Sequence, residues 1–185
     1  MSITIHEFAH CWITDKLGDP TPRARGRLTL DPRAHLEPLG VIAILLTRFG
    51  WGKPAPFDPY NLKDPVKDAA IIAAAGPLSN IILAVLLSIL LKLGLIPFLW
   101  LQLAVFQIMA INIMLAVFNL LPVYPLDGSK ILMAILPQST AIEYESVMTK
   151  YGTIILMFLI LPFGGVSPAS QLLSPIINIM LNWLI

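Results

Sequence analysis

Apolar residues in this chain are gathered into blocks separated by short polar stretches, and the length of each block decides what it can form. Two blocks are long enough to span a bilayer, about Asp68 to Leu95 and about Pro97 to Leu121, since a crossing helix needs about 20 mainly apolar residues. Ahead of them, Ile3 to Leu17 reads as a helix ended by Asp15, Lys16 and Gly18. The run from Leu39 to Thr47 is too short to cross and is flanked by basic residues on both sides, including Arg33, Arg48, Lys53, Lys63 and Lys67. A re-entrant or interfacial segment suits it better than a span. After the second span, Pro122 and Pro125 break the helix, Ile131 to Leu136 is a short apolar segment stopped by Pro137, and Tyr151 to Phe163 and Leu172 to Ile185 form two further apolar segments.

The polar stretches orient these blocks. Gly18 to His35 carries Arg23, Arg25, Arg27 and Arg33, and a basic cluster beside a membrane helix marks the cytoplasmic side. Within it, Arg25 to Leu30 alternates polar and apolar residues, a weak strand signal. Gly50 to Pro56 can only be loop or edge strand, because its prolines cannot donate to a ladder, and Trp51 suits a membrane interface. The first long span then leaves the cytoplasm and the second returns to it. The pattern predicts an all-α polytopic membrane protein, a helical bundle with a re-entrant, β-like loop region on the cytoplasmic side. It forms one membrane-embedded domain over residues 1–185, with a core over about 1–137 and C-terminal helices over about 143–185.

Composition agrees with this picture. Of the 185 residues, 57% are hydrophobic and 12% charged, about half the charged fraction of an ordinary soluble domain, and the mean hydropathy is +0.80. A net charge of +1 gives no reason to expect nucleic acid as a partner. The lone cysteine, Cys11, excludes a disulfide within the chain and reads as a packing residue. The first residues lack the basic n-region of a cleavable signal peptide.

Candidate chemistry sits in the first helix. His6-Glu7-Phe8-Ala9-His10 is an H-E-x-x-H. Residues four apart share one helix face, so two imidazoles can hold one metal ion while the adjacent Glu7 serves as general base. If Lys16 marks the membrane surface, the helix rise puts His10 and His6 roughly 9 to 15 Å below it, and ionisable residues at that depth point to a functional site. A catalytic zinc takes three protein ligands and leaves a fourth position open. Asp127 is the one acid between Asp68 and Glu143, and the two spans return it to the same side as the histidines. Its competing role is a turn aspartate in an Asp-Gly pair. His35 is the alternative third ligand, or a group that positions substrate, or a surface loop residue. Gly76-Pro-Leu-Ser-Asn80, inside the first span, permits close helix approach, and Asn80 either bonds across helices or faces the metal cavity.

His6-Glu-Phe-Ala-His10, Ala75-Gly-Pro-Leu-Ser-Asn80 and Asn119-x-x-Pro-x-x-x-Leu-Asp-Gly128 stand in the same order as the three motifs of the site-2 proteases, intramembrane zinc metalloproteases, and the chain resembles that family from residue 6 to about 137. Gly26-Arg-Leu-Thr-Leu-Asp-Pro32 and Trp51-Gly-Lys-Pro54 are similar to its short prokaryotic branch. The resemblance implies one zinc per chain held by His6, His10 and Asp127, with Glu7 catalytic. It places Gly76 and Asn80 near the substrate, Asn119 and Pro122 in the loop that shapes Asp127, and His35 close to the site. It implies hydrolysis of peptide bonds in transmembrane protein substrates, and a multi-pass protein of the cell membrane whose site faces the cytoplasm. The sequence departs from the family in carrying five residues before His6, where the family has more of its first span. The rival readings are a membrane protein that binds or transports metal without cutting peptides, which Glu7 separates from a protease, and an inactive homologue that binds substrate helices, which would tolerate loss of His6 or His10 and against which the intact H-E-x-x-H and Asp127 argue.

Overall fold

The computed structural model describes residues 1–40, 42, 50–162 and 165–185. Helix α1 covers Ser2–Lys16 and stops where Gly18 adopts a φ of +107°. The Gly18 N–H donates to the Asp15 carbonyl and the Asp19 N–H to that of Thr14, both at 3.2 Å, the paired bonds of a glycine-terminated helix. The short α2 (Thr21–Ala24) ends the same way at Gly26, φ +63°, with Arg27 N–H donating to the Pro22 carbonyl at 2.8 Å. That second stop corrects the strand expected over Arg25 to Leu30. The alternation there is interrupted by a left-handed glycine, and the chain turns. Among the described residues no strand forms, and the β-like region comes down to an antiparallel bridge between Leu36 and Gly52. The re-entrant segment expected at Leu39 to Thr47 falls largely outside the described residues.

The remaining helices follow the apolar blocks. They are α3 (Pro32–His35), α4 (Pro65–Lys92), α5 (Leu99–Asn119), α6 (Asp127–Ile135), α7 (Gln138–Ile160) and α8 (Pro168–Leu184). Asp31, Asp64 and Ser167 cap α3, α4 and α8, each side chain accepting a backbone N–H of the first turn, which satisfies donors that the helix itself cannot. Both C-terminal segments are longer than their apolar runs: α7 begins thirteen residues before Tyr151, in a polar stretch, and α8 begins at Pro168.

Helix α4 is the axis, touched by α1, α5, α6 and α8. Its buried residues include Asp68, Ile72, Gly76, Asn80, Ala84 and Ser88, one every fourth position. Four residues advance about 400° around a helix, so the stripe drifts about 40° per step and winds to a new neighbour as it climbs. Ile72, Gly76 and Asn80 meet α1. Ala84 packs with Met109, Ile113 and Val117 of α5 and Leu173 of α8, and the Ser88 hydroxyl donates to the Leu184 carbonyl. Small and polar residues thus face inward, while Ile71, Leu78, Ile82, Leu86 and Ile89 are exposed on the same helix. Among the described residues α4 and α5 are the helices long and apolar enough to cross a membrane.

Between α1 and α4 the polar segment is tied together by Asp19, which is fully buried. Its carboxylate accepts from the Thr21 N–H (3.0 Å) and hydroxyl (2.5 Å), the Asp58 N–H (2.6 Å) and the Asn61 amide (2.9 Å). Burial alone would raise this carboxyl's pKa; the donors from Thr21, Asp58 and Asn61 outweigh it and hold the group below the ordinary carboxylate range. Removing the acceptor with Asp19→Ala should cost about 1–2 kcal/mol at pH 7. A carboxyl depressed in the folded state contributes in full above its unfolded pKa of about 3.9, and loses that contribution as pH falls through the lower folded value. Thermal unfolding in detergent should therefore show wild type and variant separated at neutral pH and converging in acid. A gap that does not change with pH would reject the role assigned to the charge.

Candidate metal centre

His6 and His10 lie one turn apart on α1, and both are buried. The His10 Nδ1 is 2.7 Å from the Ile72 carbonyl. A carbonyl only accepts, so Nδ1 carries the proton and Nε2 a free lone pair. The His6 Nδ1 is 2.7 Å from Asn80 Oδ1. The Asn80 amide nitrogen is committed elsewhere, donating to the Ser2 carbonyl (3.2 Å) and to Asn112 Oδ1 (2.7 Å), which leaves Oδ1 for the His6 N–H. Both Nε2 lone pairs then point into one space, 3.1 Å apart. Asp127 Oδ2 completes the group at 3.2 Å from His6 Nε2 and 3.3 Å from His10 Nε2. It is buried and has no hydrogen-bond donor among the described residues.

Two close approaches make this convergence possible. A Cβ on Gly76 would overlap both rings, 2.5 Å from His10 Cε1 and 2.6 Å from His6 Cε1, so the imidazoles rest on the bare backbone of α4. Asp127 is the first residue of α6. It reaches the histidines because the chain folds back after α5, and a Cβ on Gly128 would collide with the carbonyls of Leu120 and Leu121. The fold-back is held by the Val123 N–H to the Leu121 carbonyl and the Leu126 N–H to that of Val123, both 2.8 Å, and by the Tyr144 hydroxyl donating to the Pro122 carbonyl at 3.0 Å.

His6, His10 and Asp127 are thus brought together, with Gly76 and Asn80 against the two rings. Asn119 is not in this group: its amide donates to the Leu115 carbonyl of its own helix at 2.9 Å. His35 differs from two of the readings attached to it, the surface loop residue and the third ligand. It is fully buried rather than at the surface, and it stands apart from the three converging groups. Its Nε2–H donates to the Thr29 carbonyl at 2.7 Å, so Nδ1 holds the lone pair, and the Arg27 guanidinium covers it at 3.4 Å. A nitrogen facing a guanidinium is not free to be a ligand. Arg27 also donates to the carbonyls of Lys53 (2.6 Å) and Pro54 (3.1 Å), and the His35 carbonyl accepts from the Lys53 N–H at 2.7 Å. Together they seat Gly52 beside the H-E-x-x-H motif: a Cβ there would lie 2.8 Å from Ile3 Cγ2 and 3.5 Å from Glu7 Cγ. Glu7 itself is half-buried.

Sequence reasoning missed Asn112, Arg27 and Gly52. The one available signal for Asn112 was an amide in the middle of an otherwise apolar span. Cys11 is buried as a packing residue, as expected.

The family model described as "Peptidase family M50" matches residues 94–162, a stretch that contains Asp127 but not the histidines. A relative, YwhC of Bacillus subtilis, named as a candidate zinc metalloprotease, matches over most of the chain. It is 36% identical over 96% of this chain and 83% of its own length. The chain belongs to peptidase family M50. The Rip2 proteins of Mycobacterium tuberculosis and Mycolicibacterium smegmatis, named in the same way, are 32% and 31% identical over 69% of this chain, which spans about half of their length. No solved structure matches the chain.

The donor set fits zinc. Two imidazole nitrogens and a carboxylate oxygen are its usual catalytic ligands, and tetrahedral bonds of about 2.0–2.1 Å separate neighbouring donors by about 3.3 Å. The three separations here are 3.1, 3.2 and 3.3 Å. Gly76→Ala should therefore abolish stoichiometric zinc in the purified M50 protein, read by elemental analysis, because the new methyl occupies the space of the rings. His35→Ala should retain its zinc while losing about 1–3 kcal/mol of stability from the orphaned Arg27 and Thr29 groups. Loss of zinc from the His35 variant would return that residue to the site.

Proposed function

We propose that this family M50 member, a zinc metalloprotease, hydrolyses peptide bonds of membrane-spanning protein substrates, with one zinc ion held by His6, His10 and Asp127 and with Glu7 as general base. The observation that carries the reading is the convergence of three buried acceptors with no proton among them to share. Both imidazoles have placed their protons on Nδ1, and the Asp127 oxygen meets them without a donor. When bound, zinc supplies Lewis acidity toward the scissile carbonyl and makes a water molecule acidic near neutral pH. The remaining chemistry belongs to side chains. Glu7, next to His6 and half-buried, takes the proton of the attacking water and returns it to the departing amine nitrogen. Gly76 keeps the rings against α4, and Asn80 fixes the ring of His6.

A membrane setting is supported by the reversed pattern of the long helices. About a third or less of the apolar windows of α4 and α5 is buried inside the protein, where the core helix of a soluble protein would be mostly covered. Outward-facing Ile and Leu are stable there only against lipid or another apolar surface. Aromatic and basic residues collect at the two ends of the bundle, as at membrane interfaces. Trp51, Tyr60, Lys53, Lys63 and Lys67 are exposed at one end, and Phe98, Trp100 and Trp183 at the other, near Lys92. The richer set of exposed cations, with Arg25 and Arg33 added, lies on the side of the polar segment after α1. This favours a multi-pass protein with the site toward the cytoplasm. Residues 1–185 act as one unit in this reading: 1–137 supply the zinc ligands and the base, and α7 packs on the Asp127 loop through Leu156 with Val123 and Leu126.

Glu7→Gln should leave zinc bound at wild-type stoichiometry and lower cleavage of a transmembrane reporter substrate by about 10²-fold or more. Asp127→Ala should lose the zinc. Cleavage that survives Glu7→Gln would remove the glutamate from its role, and undiminished zinc in Asp127→Ala would remove the aspartate.

A further inference from the structure

The orientation of His6 is not settled by Asn80 alone. A carboxamide can present either its oxygen or its nitrogen, and the two choices have opposite consequences. With the oxygen toward His6, the ring's proton stays on Nδ1 and the Nε2 lone pair faces Asp127. With the nitrogen toward His6, the proton moves to Nε2, in the space where a metal would bind. Something must forbid the second state, and α5 contains it. Asn112 is fully buried, and its amide nitrogen donates to the Ile108 carbonyl at 2.8 Å and to the Ser2 hydroxyl at 2.9 Å. The Ile108 carbonyl can only accept, so Nδ2 of Asn112 is committed to it and Oδ1 is turned toward Asn80. That oxygen in turn claims the Asn80 amide nitrogen at 2.7 Å, which leaves the Asn80 oxygen for the His6 Nδ1 proton at 2.7 Å. The chain of hydrogen bonds has one direction: the Ile108 carbonyl of α5 sets it through Asn112, at the shorter contact of 2.7 Å, and the Ser2 carbonyl, accepting from the same Asn80 nitrogen at 3.2 Å, agrees with it. Reversing it would orphan buried donors, which is costly in a low-dielectric interior.

We infer that Asn112 is a positioning residue for His6, acting through Asn80 to hold the imidazole in the tautomer that leaves Nε2 free for zinc. The inference rests on the reading of His6 as a zinc ligand. His10 needs no such device, because the Ile72 carbonyl performs the same task directly.

The test is zinc affinity by chelator competition on the purified full-length chain in detergent, for Asn112→Ala, Asn80→Ala, the double variant, His6→Ala and Ile113→Ala. Partners that orient a metal-bound histidine are worth about 10–100-fold in metal affinity, so Asn112→Ala should bind zinc about 10-fold more weakly. The double variant should be no weaker than Asn80→Ala, since both act on one bond. Ile113→Ala, an equally buried neighbour in α5, should lower the melting temperature and leave zinc affinity unchanged, which separates positioning from loss of packing. Should Asn112→Ala fail to accumulate, Asn112→Ser makes a smaller cavity and should give the same weakening. Wild-type affinity in the Asn112 variant, or losses that add in the double variant, would overturn the inference while zinc lost from His6→Ala left the ligand reading standing. Zinc retained by His6→Ala would overturn both.

Discussion

Two imidazole nitrogens and a carboxylate oxygen, each presenting a lone pair, repel one another when they are held about 3 Å apart in a buried space. Their mutual repulsion is relieved by a cation, and the surrounding structure is arranged to keep them together in readiness for one. Gly76 lets the rings lie on the backbone of α4. Gly128 lets the chain double back so that Asp127 begins a helix facing them. The Ile72 carbonyl and the Asn112–Asn80 pair keep the ring protons on the far side. Close approach, chain reversal and proton placement are three different physical requirements, and each is met by a different part of the chain.

Helix α4 meets several of them because its inward stripe repeats every four residues. A stripe of period 3.6 would keep one neighbour along its whole length. A stripe of period four drifts round the helix, so one helix serves α1 at Ile72, Gly76 and Asn80, then α5 and α8 at Ala84, then the end of α8 at Ser88. The stripe contains little large apolar surface. Association of such helices relies on close backbone contact and a few buried hydrogen bonds, which suits helices whose outer faces are covered by lipid tails as apolar as their own side chains.

How far the sequence could be read follows from the range of each interaction. His6 and His10 were legible because helical spacing alone puts them on one face, and Asp127 because it is a lone acid at a helix break. The long spans were legible from block length, and the structure moves their ends by only a few residues. The failures are tertiary. His35 sits in a polar, arginine-rich stretch and reads as exposed, yet it is buried, held by the Thr29 carbonyl and by an Arg27 that is itself tied to the carbonyls of Lys53 and Pro54. The strand signal at Arg25 to Leu30 depended on alternation, which cannot register that Gly26 is needed as a helix stop. Asn112 finds its meaning in Asn80, thirty-two residues away, and no local pattern reports such a pair.

Two hydrogen-bond systems therefore meet on α1 at neighbouring positions around the helix. One comes from the long helices through Asn112, Asn80 and Ile72 and acts on the ligand face of α1. The other comes from the polar segment through Arg27 and His35 and presses Gly52 toward Ile3 and Glu7. Arg27 is buried with carbonyl oxygens and an imidazole as its partners, and no carboxylate is paired with it among the described residues. Carbonyls fix a guanidinium geometrically, through hydrogen bonds rather than an ion pair. On the helix bearing H-E-x-x-H, the two histidines and Glu7 thus meet different neighbours: Asn80 and Ile72 at the rings, Gly52 beside the glutamate.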